Sequence, residues 1–171
     1  MIQQLFKKLE KEGLQLSSVE SLTGGLFAAS ITSVPGASNV FSGGAVTYSN
    51  TSKIKFGVSE ETLKEHGAIS KETAVEMVKA CVQNLPSQVA ISFTGNAGPS
   101  ASEGKVVGLV YISIIIKKDN IEKLYNYRLN LDGDRAMIRE QCVNFGIKTI
   151  MDKLMELFPE EEVQEKEENK D

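Results

Sequence analysis

Short β-rich runs alternate along the chain with segments of helical apolar spacing, and this predicts an α/β fold: a three-layer α/β/α sandwich built on a mixed, mainly parallel sheet. Two further observations shape the expectation. The run Val89 to Phe93 is short and nearly continuously apolar, as expected of a strand covered by helices on both faces. Late in the chain, Val106 to Ile116 and Ile121 to Asn130 are β-rich and separated only by Lys117-Lys118-Asp119-Asn120, a hairpin signature that makes part of the sheet antiparallel.

The elements follow in order. Ile2, Leu5, Phe6 and Leu9 recur at helical spacing and stop at Gly13, after which the run Leu14 to Val19 reads as the first strand. Leu26 to Ile31 is helix-like, and Val34-Pro35-Gly36 breaks it. The segment Phe41 to Lys53 reads as a strand whose end delivers Tyr48, then a turn or helix start that carries Lys53. Ser59 and Ser70 are N-cap candidates, the second for a helix that buries Ala74, Met77, Val78, Cys81 and Leu85. Asp132-Gly133-Asp134 opens a long helix with one stripe of Val143, Ile147, Ile150 and Leu154 and a neighbouring stripe of Ile138, Cys142 and Phe145.

Composition bounds the function. With 171 residues, 41% hydrophobic and 25% charged, the chain has the size of one enzyme-sized domain, assigned to residues 1–158, with 159–171 as an acidic tail expected to be disordered. The net charge of −4 is concentrated there, and the remainder is close to neutral. Without a basic stripe or interleaved aromatics, a nucleic-acid partner has no electrostatic support. No signal peptide or bilayer-spanning run is apparent, so a cytoplasmic protein with no membrane partner is expected. Cys81 and Cys142 sit in apolar helical stripes and read as buried free thiols, and the single His66, just before Gly67, reads as part of a helix C-terminus. That inventory offers no metal site and little for a Ser-His-Asp triad.

Three strand ends carry small or reactive residues, which points to one crevice at the carboxyl edge of the sheet. The first is Glu20-Ser21-Leu22-Thr23-Gly24-Gly25, which sets a hydroxyl beside backbone N–H groups at a helix start, a place to attack a carbonyl or hold an anion. A glycine pair alone equally fits a tight strand-to-helix turn. The others are Tyr48-Ser49-Asn50 with Lys53, and Thr94-Gly95-Asn96-Ala97-Gly98-Pro99. Tyr48 and Lys53 have four residues between them, not the three of short-chain dehydrogenases, and no Walker A pattern occurs. Gly95-Asn96-Ala97-Gly98 also fits an RNA-binding G-x-x-G loop, though without basic neighbours.

These motifs resemble the CinA C-terminal domain family, which includes stand-alone nicotinamide mononucleotide deamidases. The matching residues run in order from about Leu14 to Leu154: Glu20-Ser21 with Thr23-Gly24-Gly25, Pro35-Gly36 with Ser38, Phe41 with Gly43-Gly44, Tyr48-Ser49-Asn50 with Lys53, His66-Gly67-Ala68 with Ser70, Thr94-Gly95 with Ala97-Gly98-Pro99, Lys105 with Val107-Gly108, and Gly133-Asp134-Arg135 with Arg139. The resemblance implies cofactor-free hydrolysis of nicotinamide mononucleotide to nicotinic acid mononucleotide and ammonia, and a homodimer. Ser21, Tyr48 and Lys53 match the catalytic positions, with Ser21 as nucleophile, Lys53 as base and Tyr48 relaying or orienting the proton. Thr23, Gly24 or Gly25 would stabilise the oxyanion. The substrate phosphate calls for an anion site, for which Gly95, Ala97 and Gly98, the hydroxyl of Ser38, and Arg135 with Arg139 one helical turn on are the candidates. The two arginines equally fit an exposed helix start paired with Asp132 or Asp134. Relatives usually carry Ile where this chain has Asn96, and Ser100 to Leu109 departs from their usual glycine-rich stretch ending in Lys-Pro-Val-Gly-Thr. That departure leaves open a catalytically weak or inactive nucleotide-binding or regulatory protein of the same fold.

Overall fold

A computed structural model describes residues 1–161; of the acidic tail only Pro159 to Glu161 fall among these, all exposed, and the rest lies outside the described residues. The elements are α1 (Ile2–Glu12), β1 (Leu16–Glu20), α2 (Leu26–Thr32), a 3-10 turn (Ala37–Asn39), β2 (Phe41–Val46), α3 (Asn50–Phe56), α4 (Glu60–His66), α5 (Lys71–Asn84), β3 (Val89–Gly95), β4 (Leu109–Lys118), β5 (Ile121–Asn130) and α6 (Arg135–Leu157). The sheet order is β2-β1-β3-β4-β5. β1 lies parallel to both β2 and β3, whereas β3, β4 and β5 pair antiparallel in succession.

Side-chain alternation along the strands divides the core into two layers. Leu16, Val89, Ile91, Phe93, Ile112 and Ile114 face α1, α2 and α6, while Val19, Ala90 and Ile115 face the layer of α3, α4 and α5 through Val58, Leu63, Met77, Val78 and Cys81. The sheet is thus covered on both sides, in the expected α/β/α arrangement. Fully buried Phe27 tilts against Phe93 with ring centroids 5.3 Å apart, and burial of each such ring contributes roughly 2–3 kcal/mol. Gly146 allows α6 to approach closely, since a Cβ there would lie 2.8 Å from Ile91 and 2.9 Å from Phe93.

Helix boundaries follow local chemistry. Gly13 closes α1 in a left-handed conformation with its N–H on Leu9 and Glu10 carbonyls, and Ser49, Ser59, Ser70 and Asp134 accept N–H bonds at the starts of α3, α4, α5 and α6. β4 begins at Leu109, three residues later than its apolar pattern implies, because Gly108 turns the chain at φ +90° and donates its N–H to Asn96 O. Val106, which the pattern placed in the strand, is 63% exposed. Burial pushes the Cys81 thiol up to about 11 and that of Cys142 up to about 12, so both are held as thiols. Among the described residues, no helix is long and apolar enough to cross a membrane.

Candidate active site

The parallel order β2-β1-β3 sets three strand ends side by side, with β1 in the middle. Thr47 N–H donates to Glu20 O and Ser21 N–H to Phe93 O, so the first residues beyond the sheet are held in its register. A cavity of about 610 Å³ opens there, within the usual size of a small-molecule site. It is lined from the first strand end by Ser21 and Leu22, from the second by Tyr48, Ser49, Asn50 and Lys53, and from the third by Thr94 to Ser100. Ala68, Ile69, Ser102, Glu103 and Arg135 complete it.

Lys53 and Ser21 form its centre. α3 turns Lys53 inward, leaving it 1% exposed, with Nζ donating to Ser21 Oγ at 2.8 Å, Thr47 O at 2.7 Å and Tyr48 O at 3.1 Å. Burial lowers the Lys53 pKa to about 8, against a smaller opposing pull from the Glu103 charge. The two carbonyls engage two N–H groups, so the third position on nitrogen faces Ser21. An ammonium donates there, and a neutral amine directs its lone pair at the hydroxyl. This pair is therefore built for proton transfer.

Tyr48 takes a different position from the expected relay. Lys53 reaches Ser21 directly, while the half-exposed Tyr48 offers Lys53 only its carbonyl, and its hydroxyl accepts a 2.9 Å bond from Arg135 Nη2. Arg135 Nη1 also donates to Gly98 O at 2.7 Å, so this arginine bridges Tyr48 and the Gly95 to Pro99 loop at the cavity wall. A guanidinium has five donors, and these two bonds leave others for a ligand anion.

Arg139 is turned elsewhere. Its Nε donates to Leu22 O at 3.1 Å and Nη2 to Thr23 O at 2.9 Å, which makes it a brace beneath the turn carrying Ser21 rather than part of the cavity lining. Arg139→Ala is expected to lower stability by about 1–3 kcal/mol through those unpaired carbonyls, and to reduce turnover with little change in ligand affinity. Thermal melts and a kcat-against-Kd comparison check this.

The anticipated oxyanion donors also sit differently. Gly24 N–H is committed to Ser21 O, Phe27 and Ala28 N–H groups donate to the fully buried Glu20 carboxylate, and neither Thr23, Gly24 nor Gly25 lines the cavity. Glu20 thus caps α2 with the chain's own negative charge, occupying the helix end that the sequence offered to a ligand. Of this turn, Leu22 lines the cavity beside Ser21. Ser38 is exposed just before β2, at the amino end of the strands, and the structure does not bring it to the other site residues. Gly95, Ala97 and Gly98 do line the cavity.

The loop after Pro99 is a wall of the site. Asn96, 5% exposed, accepts the Gly98 N–H on Oδ1 at 3.3 Å and donates from Nδ2 to Lys105 O at 3.1 Å, ties that an isoleucine side chain lacks. Lys105 Nζ donates to the carbonyls of His66 and Ile69, and Glu103 accepts N–H bonds from Ala68 and Ile69. The sequence assigns no site role to Glu103 or Lys105, because Glu-Gly is not a favoured hairpin pair and both side chains bind backbone groups 34 to 39 residues away. Among the described residues, no three His, Cys, Asp or Glu side chains gather as a metal-binding group.

Comparison with known proteins identifies the family and the fold. The family model of the CinA C-terminal domain matches residues 1–154. A relative from Halalkalibacterium halodurans, provisionally named a competence-damage inducible protein, is 41% identical over 155 residues, covering 90% of this chain and 36% of the relative. One of the same name from Caldicellulosiruptor saccharolyticus is 49% identical over 134 residues, covering 77% of this chain and 32% of the relative. The chain spans about a third of the length of these curated relatives. Among solved structures, a competence-damaged protein (CinA) superfamily protein from Klebsiella pneumoniae superposes with a TM-score of 0.85 at 27% identity, covering 91% of this chain and 96% of that one. The competence/damage inducible protein from Agrobacterium tumefaciens gives 0.82 at 31% identity, with 88% and 92% covered. The match to the family model over nearly the whole described chain, together with these relatives, shows that this chain belongs to the CinA C-terminal domain family.

Proposed function

We propose that this domain is a metal-independent amidohydrolase that deamidates nicotinamide mononucleotide, with Ser21 as nucleophile and Lys53 as its base. The observation that carries the reading is the buried Lys53 Nζ, 2.8 Å from Ser21 Oγ, with its other two positions occupied by backbone carbonyls. Neutral Lys53 takes the Ser21 proton as Oγ bonds to the amide carbon. The tetrahedral adduct collapses by breaking the C–N bond, and the Lys53 ammonium returns the proton to the leaving nitrogen, which departs as ammonia. Water, deprotonated by the same amine, then attacks the resulting ester, releasing the pyridine carboxylate and restoring the Ser21 hydroxyl.

Arg135 supports the nucleotide half of the proposal. It lines the cavity, and its guanidinium is oriented by Tyr48 and Gly98 while retaining donors for a phosphate. Arg135→Ala is expected to weaken nicotinamide mononucleotide binding by about 10- to 100-fold while hardly altering the weaker binding of the unphosphorylated riboside. Calorimetry with both ligands checks it, and equal losses would remove the arginine from the phosphate site. Ammonia release from the mononucleotide, the riboside and free nicotinamide, assayed side by side, tests the activity itself. Turnover should fall in that order.

A further inference from the structure

Among the described residues, the only carboxylate lining the active-site cavity is that of Glu103, and its backbone is unusual. Ser102 and Lys105 form an antiparallel bridge around Glu103 and Gly104, whose φ values of 55° and 67° make a two-residue hairpin with both central residues left-handed. Such turns favour Asn, Asp and Gly, so a glutamate at the first central position is conformationally unfavourable. What it gains is placement. Its Oε2 accepts the Ala68 N–H at 2.9 Å and Oε1 the Ile69 N–H at 2.8 Å, and a Cβ on Gly67 would overlap the carboxylate.

These two bonds orient the carboxylate without neutralising it, and each oxygen keeps a further lone pair. Among the described residues, no Lys, Arg or His pairs with it; the neighbouring Lys105 ammonium is engaged by the His66 and Ile69 carbonyls. The cavity therefore combines one carboxylate with two cationic side chains, Arg135 and, below about pH 8, Lys53, whose amine is already tied to Thr47 O, Tyr48 O and Ser21 Oγ. That combination suits a ligand carrying a cation as well as an anion, which an N-ribosyl pyridinium phosphate does.

We propose that Glu103 is a specificity-determining residue, its latched carboxylate acting as counter-charge to the cationic ring of a pyridinium nucleotide. This inference rests on the nucleotide-amidase reading above. Calorimetry in the Ser21→Ala protein, where turnover does not interfere, compares nicotinamide mononucleotide with its 1,4-dihydro form, which has the same ribose phosphate and a neutral ring. The cationic form is expected to bind about tenfold more tightly. Adding Glu103→Gln should abolish that advantage even where the looser latch weakens both ligands, and Glu103→Asn, a residue this turn favours, repeats the test with the hairpin retained. Equal affinity for the two forms before the Glu103 change overturns the proposal, as does an advantage that survives both substitutions. Binding of neither form by the Ser21→Ala protein overturns the nucleotide reading, and this inference with it.

Discussion

Ser21→Ala is expected to lower turnover of nicotinamide mononucleotide by about 10³-fold or more while leaving its affinity within about threefold. The reason is geometric. Oγ is the atom that forms the bond to carbon, and Ser21 itself is 8% exposed, with only this hydroxyl engaging the Lys53 amine. The substitution removes one hydrogen bond, roughly 1 kcal/mol, against the 5–15 kcal/mol typical of a domain, so the variant should fold. Residues that act as one unit are non-additive, and Ser21→Ala with Lys53→Ala should be scarcely slower than either alone. Single-turnover assays and calorimetry on the same preparations separate the two quantities. A parallel fall in affinity and rate would instead assign Ser21 to binding.

Lys53→Met should cost about 10²- to 10⁴-fold in turnover, the range of a positioned general base. Its pH dependence is more diagnostic. With the Lys53 pKa lowered to about 8 in the ligand-free protein, the catalytically competent neutral amine is the minor form at pH 7, so kcat/KM should rise with pH up to about 8 and level off above it. The same shift has a stability consequence of definite sign. Between about 8 and the ordinary 10.5, the unfolded chain holds the Lys53 proton and the folded chain does not, so folding stability due to this residue increases with pH. The unaltered protein should therefore gain up to about 3 kcal/mol relative to Lys53→Met across that window, and gain nothing below it. Denaturant titrations of both proteins at matched pH give the difference. A flat difference would mean that Lys53 titrates at its ordinary value and is no base near neutrality.

The fold was legible where periodicity was strong. Val89 to Phe93, the hairpin of β4 and β5, and the stripes of α6 each follow from a repeat that has one low-energy partner, and the two-sided cover of β3 followed from its unbroken apolar run. The nucleophile turn and Lys53 were also legible, because glycines and a strand end mark them. Whether they meet depends on β2 and β3 flanking β1, a long-range pairing that no local window contains. For the same reason Ser38, close in sequence to β2, lies at the far end of the sheet from Tyr48. Arg135 and Arg139 share one helix face in sequence, yet one faces the cavity and the other supports the Ser21 turn, a split decided by where the β1–α2 turn sits against α6. Glu20 and Glu103 escaped assignment since their roles are bonds to backbone N–H groups, which composition does not reveal.

Hydrolysis of a bound nucleotide's amide by the Ser21–Lys53 pair releases ammonia and nicotinic acid mononucleotide together, and both can be followed after pure protein meets nicotinamide mononucleotide at pH 8. Equimolar appearance of the two products, over many turnovers and absent with Ser21→Ala, is the expected result. If the unaltered protein binds the mononucleotide yet releases no ammonia over hours, and Ser21→Ala behaves identically, the site binds nucleotides without catalysis and Ser21 is no nucleophile.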